Sequence, residues 1–186
     1  MNPKKPWENS YPNNLKNYAC DFQSLPESTD KLLLDAVRDY GDAPALTMVL
    51  PVGLHQDVSY DEVDKLSSAF AAYLIEHEKL VYGDVVALQL PNSLNYPIAV
   101  LAAWKAGLIV TSVNPLYTGR ELEIQLKDSG AKLLIACDIF LEHAENVASN
   151  LGIKLITTSM GDFFEPQLAA IIQEHVAASA NIQSTT

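Results

Sequence analysis

The sequence from residue 84 onward alternates short apolar segments with longer amphipathic ones. Short, nearly continuous apolar strands are typical of a parallel sheet that helices cover on both faces. We predict strands at 85–90, 108–113, 132–136 and 154–157. Helices are predicted between them at 96–106, 121–129 and 139–150. This alternation indicates an α/β fold with a mostly parallel sheet flanked by helices, whose strand order the sequence does not reveal.

Glycines and capping residues support these boundaries. Gly107, Gly130 and Gly152 each follow a predicted helix, where glycine adopts the left-handed conformation without strain. Thr118 and Glu121 form a capping box, in which each side chain satisfies a free backbone N–H at a helix start. The helix boundaries therefore have a local physical cause.

The preceding segment is predicted to contain a helix at 30–40, strands at 45–50 and 56–59, and a second helix that starts with a capping box at Ser59. Acidic residues fill the first turn of that helix, where the helix dipole favours negative charge, so we interpret them as helix-start residues and not as a catalytic pair. They are Asp61, Glu62 and Asp64. The apolar stripe of the helix is predicted to comprise Val63, Leu66, Phe70, Tyr73 and Leu74.

Composition divides the chain into three parts. Residues 1–30 carry four prolines among isolated aromatic side chains, which predicts an irregular arm. Residues 31–160 form the α/β subdomain, and residues 161–186 form a helical tail. Trp7 and Tyr11 are candidates for contact with another subunit, and docking on their own domain is the alternative.

The spacing of the eight glycines excludes the common phosphate-binding loops. The closest two, Gly152 and Gly161, are nine positions apart. A dinucleotide fingerprint needs three glycines within about six residues, and a P-loop needs two, because the backbone must approach phosphate closely. The same count excludes a nucleophile elbow. No two Cys or His residues lie closer than the six positions from Cys137 to His143, so no zinc-site spacing is present.

Charge and apolar content exclude further classes of function. The net charge of -11 disfavours nucleic acid as a partner, because the mean field repels phosphate. Cys20 and Cys137 suggest no disulfide framework, which fits a reducing cytoplasm. The N-terminus lacks the apolar core of a signal peptide, and the longest apolar run, at 98–104, is shorter than the roughly 20 residues of a membrane span.

Residues 87–136 carry a series of short motifs in a fixed order. They are Pro91-Asn92, Asn95-Tyr96-Pro97, Lys105-Ala106-Gly107, Asn114-Pro115-Leu116-Tyr117-Thr118, Glu121-Leu122, Gln125-Leu126 and Asp128-Ser129-Gly130-Ala131. This segment strongly resembles the N-terminal lobe of AMP-forming long-chain fatty-acid CoA ligases, within the adenylate-forming superfamily. Trp7 with Tyr11-Pro12 resembles the opening of the same family. The resemblance implies that the fold is the N-terminal subdomain of an adenylate-forming enzyme.

The resemblance implies a parent reaction with two steps. ATP and a long-chain fatty acid form an acyl-adenylate and pyrophosphate, and CoA then displaces AMP. The cofactors of the parent enzyme are therefore ATP, Mg and CoA. The family's phosphate-cradling loop, its Tyr-Xaa-Xaa-Thr-Glu motif, its ribose-binding Asp and its C-terminal-domain lysine lie beyond the region that this chain covers. We assign no catalytic, cofactor-binding or metal-binding residue, and we expect the chain alone to bind none of these cofactors and to lack ligase activity.

The sequence departs from the family at two places. Gly119 stands where the long-chain branch often has Pro, and the residues after Met160-Gly161-Asp162 are acidic and alanine-rich where the family is basic and aromatic. The expected partner is the remainder of the ligase polypeptide, with a homodimer as a further candidate. The expected location is the cytoplasm, with at most peripheral contact with the inner membrane in the parent enzyme.

Two other functions stay open. The chain is alternatively an interaction or dimerisation module that derives from such an enzyme and has no catalytic role. It is also a candidate small-molecule binder near Asn92 and Asn114, because open α/β sheets bind ligands beyond the carboxyl ends of their strands.

Overall fold

A computed structural model of the chain describes residues 7, 10–13, 25–50 and 53–172. The elements are α1 (Thr29–Tyr40), β1 (Pro44–Val49), β2 (His55–Ser59), α2 (Tyr60–Glu76), β3 (Val85–Gln89), α3 (Asn95–Lys105), β4 (Ile109–Ser112), α4 (Gly119–Ser129), β5 (Ala131–Cys137), a 3-10 turn (Asp138–Phe140), α5 (Leu141–Leu151) and β6 (Lys154–Thr158). A further helix occupies residues 166–172. The predicted strands and helices are confirmed, with boundaries that move by one or two residues.

Strands β3 to β6 form one parallel sheet in the order β4-β3-β5-β6. The chain leaves β3 through α3 to reach β4 on one side, and α4 then carries it back across β3 to β5 on the other side. Strand-helix-strand connections are right-handed, so this reversal places helices on both faces of the sheet. Strands β1 and β2 form a separate antiparallel hairpin. The structure thus gives the strand order, which the sequence did not reveal.

Two apolar layers enclose the sheet. One face packs against α2 and α3 through buried side chains that include Leu74, Leu88, Ala102 and Ile135. The opposite face packs against α4 and α5; its buried side chains include Leu122, Leu126, Leu134, Ala144 and Ala148. Because β3 and β5 are covered on both faces and paired on both edges, they form the most protected part of the fold.

The contact between α2 and α3 depends on small side chains. The buried positions of α2 are Val63, Ser67, Ala71 and Leu74. On α3 they are Ile98, Ala99, Ala102 and Ala103. Small residues allow two helices to approach closely, and the hydroxyl of Ser67 is satisfied by the carbonyl of Val63 at 2.6 Å. The predicted apolar stripe was therefore partly wrong, because Leu66 and Tyr73 are 40% and 39% exposed.

Local capping interactions hold the helix ends as predicted. Ser59 and Thr118 each form a complete capping box with the glutamate three residues later. Gly130 ends α4 with φ of 67°, in the left-handed region that glycine favours. Lys79, just after α2, adopts a similar φ of 59° without being glycine.

A third cluster attaches α1 and the β1-β2 hairpin to α2 and α3. It contains buried Leu33, Val58, Val63 and Leu94, with Phe163 packed against it. Through Phe163, the turn after β6 therefore contacts the same apolar cluster as α1. None of the helices in the described ranges is both long and apolar enough to cross a membrane. The predicted domain boundaries at 30/31 and 160/161 stay predictions.

Candidate functional site

The carboxyl edge of the sheet is where the crossover reverses direction. The connection after β3 leads to α3 on one face, whereas the connection after β5 leads to α5 on the other face. Adjacent parallel strands whose connections diverge leave a crevice beyond their carboxyl ends, the usual ligand position in such sheets. The candidate site is therefore the rim formed by the segments that follow β3, β4 and β5.

Asn92 and Asn114 both lie on this rim, as their positions after two adjacent strands predicted. Both side chains are exposed. The Oδ1 of Asn114 accepts a hydrogen bond from the backbone N–H of Leu116 at 3.0 Å, which forms an Asx turn. Asn114 therefore shapes the loop between β4 and α4, and a role for either residue in ligand binding stays a prediction.

Gln89 is a polar residue of the rim that sequence reasoning missed. It ends β3 and is only 1% exposed. Its Nε2 donates to the carbonyl of Pro115 at 3.4 Å, and its Oε1 has no hydrogen-bond partner among the described residues. A buried acceptor without a donor costs about 1–3 kcal/mol. The signal in the sequence was a single amide within an otherwise apolar strand.

Asp162 connects the rim to the segment after β6. Its Oδ2 accepts hydrogen bonds from the Nδ2 of Asn95 at 2.7 Å and from the backbone N–H of Ser159 at 2.9 Å. Asn95 is the first residue of α3, whose preceding residue, Leu94, makes no side-chain cap. Asp162 therefore fixes the start of α3 relative to the turn at residues 159–164.

Lys105 lies at the opposite, amino end of the sheet and is fully engaged. Its Nζ donates to the carboxylate and the carbonyl of Asp64 and, at 2.8 Å, to the hydroxyl of Ser68. The side chain of Lys105 is 10% exposed. This cation ties α3 to α2 and is not available to an anionic ligand. Asp64, interpreted from sequence as a helix-start residue, is the partner in this ion pair.

An open cavity of about 500 Å³ lies between β4 and α4. Its lining residues are Ser112, Tyr117, Glu121, Ile124, Gln125 and Asp128. Two carboxylates and no basic side chain line it, so its field repels phosphate. The pKa of Glu121 lies below its ordinary value because the backbone and hydroxyl of Thr118 donate to it, so this carboxylate keeps its charge at neutral pH. The cavity is unsuited to ATP.

The remaining reactive groups suggest no catalytic centre. Burial raises the pKa of the Cys137 thiol to about 12, so it is not a nucleophile at neutral pH. Within the residues that the structure describes, no group of three Cys, His, Asp or Glu side chains is placed to hold a metal ion. Trp7 and Tyr11 are 56% and 44% exposed, and Cys20 lies outside the described residues.

Comparison with known proteins identifies the family. The sequence profile of the AMP-binding enzymes matches residues 33–182. The chain belongs to the AMP-binding enzyme family. The match includes the α/β subdomain and continues past residue 160 into the segment that sequence analysis separated as a tail.

The relatives of this chain confirm the resemblance to long-chain fatty-acid CoA ligases. The chain is 40% identical over 162 residues to the long-chain-fatty-acid–CoA ligase of Haemophilus influenzae, which covers 86% of this chain and 27% of that protein. The values are the same for the ligase of Salmonella typhimurium. The chain thus spans about a quarter of the length of these relatives.

A solved structure supports the fold assignment. The anthranilate CoA ligase AuaEII in complex with anthranoyl-AMP superposes with a TM-score of 0.65 at 21% identity. The superposition covers 76% of this chain and 28% of AuaEII. The α/β fold of this chain is therefore that of the N-terminal subdomain of adenylate-forming ligases.

Proposed function

We propose that this chain is the N-terminal part of a ligase that activates long-chain fatty acids with ATP and transfers the acyl group to CoA. The observation that carries the proposal is the 40% identity over 162 residues to ligases with that specificity in their names. ATP, Mg and CoA are the cofactors of the complete enzyme, and the remainder of the polypeptide is the partner. The complete enzyme acts in the cytoplasm, with at most peripheral membrane contact.

The chain alone is proposed to be inactive, because adenylation develops charge on phosphoryl oxygens and requires preorganised donors and cations. The sequence has no cluster of glycines that brings backbone N–H groups together. Lys105 is engaged by Asp64 and Ser68. Glu121 and Asp128 give the cavity beside α4 the wrong sign for a nucleotide phosphate. These contacts support the proposal that the chain serves as a scaffold for other parts of the enzyme.

An activity assay tests both halves of the proposal. The purified chain is incubated with ATP, Mg, CoA and oleate, and acyl-CoA and pyrophosphate are measured. A chimera joins this chain to the Haemophilus influenzae ligase from which the matching 162 residues have been removed. We expect no product from the chain or from the shortened ligase, and oleoyl-CoA from the chimera. ATP-dependent product from the chain alone, abolished by a substitution within it, contradicts the proposal.

Calorimetry adds a readout that does not depend on turnover. We expect no heat when ATP, CoA or oleate is titrated into the chain alone. If the titration instead gives saturable heat, and N92A or N114A abolishes that heat, the result supports a small-molecule site on the rim.

The exposed Trp7 and Tyr11 favour a second candidate, an interaction or dimerisation module. Aromatic side chains at this exposure supply apolar area that a partner surface can bury. Light scattering of the chain with and without its first 25 residues separates the candidates. A dimer that becomes a monomer on truncation, and also with W7A/Y11A, supports the module. A monomer in every case contradicts it.

A further inference from the structure

Strand β4 presents one unpaired edge. The N–H of Ile109 donates to the carbonyl of Asp84 and the N–H of Val113 donates to that of Leu88, both at 2.9 Å. Backbone groups alternate in direction along a strand, so Thr111 also faces β3, whereas the N–H and C=O groups of Val110 and Ser112 point away from it. Within the described ranges, β4 pairs with β3 alone. Val110 and Ser112 therefore direct their backbone donors and acceptors toward the edge that β3 does not occupy.

One side chain covers part of this edge. The Nε2 of Gln125 donates to the outward carbonyl of Ser112 at 2.8 Å and to the Oγ1 of Thr111 at 3.2 Å. An amide group imitates the N–H of a neighbouring strand, so Gln125 occupies the place of one ladder hydrogen bond. The other outward groups of β4 have no such cover from this side chain.

Two exposed apolar side chains lie beside the edge, and β4 itself carries no residue that blocks strand pairing. Ile109 on β4 and Ile124 on α4 are 54% and 58% exposed. Proteins normally protect an edge strand with Lys, Pro or an inward charge, because a bare apolar edge recruits another strand. The sequence of β4, Ile-Val-Thr-Ser, contains none of these.

We propose that the edge of β4 receives a β-strand from the part of the ligase polypeptide that this chain does not span, with the Gln125 amide leaving Ser112 as the strand pairs. The inference rests on the proposed function. The chain covers only 27% of the length of its relatives, so most of such a polypeptide is available to supply the strand. Pairing satisfies the outward groups of Val110 and Ser112 and buries Ile109 and Ile124.

Charge determines the kind of strand that fits. Glu121 and Asp128 line the cavity beside the edge, and no basic side chain accompanies them. A second copy of this chain carries a net charge of -11 and brings the same carboxylates to the interface, so like charges oppose self-pairing. The incoming strand therefore carries apolar side chains toward Ile124 and a Lys or Arg toward Glu121 or Asp128.

Amide hydrogen exchange tests the proposal directly. Exchange at Val110 and Ser112 is compared between the isolated chain and the Haemophilus influenzae chimera, with Thr111 as the internal control because its N–H already faces β3. We expect the exchange rates of Val110 and Ser112 to fall at least about tenfold in the chimera. Equal rates in the two proteins overturn the proposal. Slow exchange in an isolated chain that light scattering shows to be dimeric also overturns it, because a second copy then occupies the edge.

Proline substitution supplies an independent test. S112P removes an outward N–H and breaks no hydrogen bond to β3. An edge strand tolerates proline at such a position. The matched control, S112A, removes the same hydroxyl and keeps the N–H. We expect the two variants to have equal Tm as isolated chains, and the S112P chimera to melt below the S112A chimera. Equal Tm in both settings counts against the docked strand. Should S112P unfold the isolated chain, exchange in unsubstituted protein still decides.

Failure of this inference is distinguishable from failure of the proposed function. Slow exchange at Val110 and Ser112 in a chimera without ligase activity supports the docked strand and contradicts the function. Ligase activity in a chimera with fast exchange at both residues supports the function and overturns the docked strand.

Discussion

The side chains of Asn95 and Asp162, 67 positions apart, are joined by a hydrogen bond of 2.7 Å. This bond connects the first residue of α3 to the turn that follows β6, at the carboxyl rim where the candidate site lies. The same Asp162 oxygen accepts from the N–H of Ser159, so one carboxylate shapes the turn and holds it against the helix.

D162A is expected to lower the free energy of unfolding by about 0.5–1.5 kcal/mol, since it removes two hydrogen bonds at an exposed position. D162N keeps one acceptor oxygen and should lose less. Urea denaturation measures both, with N146A, which removes a single side-chain bond to Glu142, as the control. An equal loss for D162A and D162N would show that charge, and not acceptance, matters.

K105M is expected to lower the free energy of unfolding by about 1.5–3 kcal/mol, because it leaves the carboxylate of Asp64 without its cation in a partly buried position. The side chain of Lys105 is 10% exposed, whereas that of Lys31, which pairs with Asp35, is 53% exposed. K31M is therefore the control and should cost less than about 0.5 kcal/mol. Equal losses in urea denaturation contradict a buried tie between α2 and α3.

K79G is expected to raise the free energy of unfolding by about 0.5–1 kcal/mol. Lys79 has φ of 59°, a left-handed conformation that costs a residue with a Cβ about 1–2 kcal/mol. Glycine avoids this strain, but its greater conformational entropy in the unfolded chain offsets part of the gain. K79A removes the same charge and keeps the Cβ, so it should show no gain. A gain from K79A of the same size would attribute the effect to charge.

E78Q is expected to flatten the acid side of the stability profile. Hydrogen bonds from Lys154 and Tyr73 hold the pKa of Glu78 below its ordinary value of 4.5. A carboxyl group whose pKa is lower in the folded state than in the unfolded state stabilises the protein at pH values above its unfolded pKa. This stabilisation is lost as the pH falls from about 4.5 through the folded pKa. Thermal unfolding between pH 6 and pH 3 should therefore show a smaller decline for E78Q than for E76Q, which changes a charge at the last residue of α2, two positions before Glu78.

G119P is expected to raise the free energy of unfolding by about 0.5–1 kcal/mol. Gly119 is the first residue of α4, where proline is favoured, and Thr118 before it has the extended conformation that proline requires of its predecessor. A Cβ at Gly119 meets only ordinary contacts, the nearest at 3.8 Å. G130A is the control, and φ of 67° there predicts a loss of about 1 kcal/mol. Destabilisation by G119P would show that the Gly119 N–H is needed.

Elements with local causes were predictable from the sequence. The capping box of Thr118 and Glu121 and the left-handed Gly130 each depend on residues within one turn, so α4 could be placed from its own sequence. The strand order could not, because the side of β3 on which β5 pairs depends on the direction of a crossover and not on the residues of either strand. The buried stripe of α2 was misjudged because Ser67 and Ala71 are buried for their small size, which a search for large apolar residues overlooks.

The candidate site was predictable only in position. Asn92 and Asn114 follow the ends of β3 and β4, and their role in ligand binding stays a prediction. The Asx turn of Asn114 and the burial of Gln89 depend on the loop that folds over β3. The partner of Asp64 lies 41 positions away, on a different helix, so a local interpretation of that carboxylate could not include it.

The order β4-β3-β5-β6 has a consequence for synthesis on the ribosome. The first strand of the sheet to emerge is an inner one, and its neighbour β5 is completed only when Cys137 has been added. Until then, the nascent chain holds β3 with one hydrogen-bonding edge bare and its apolar side chains incompletely covered. Chaperone contact with this protein is therefore expected to be greatest between the translation of β3 and that of β5, and a slow codon placed after β5 should be better tolerated than one placed before it.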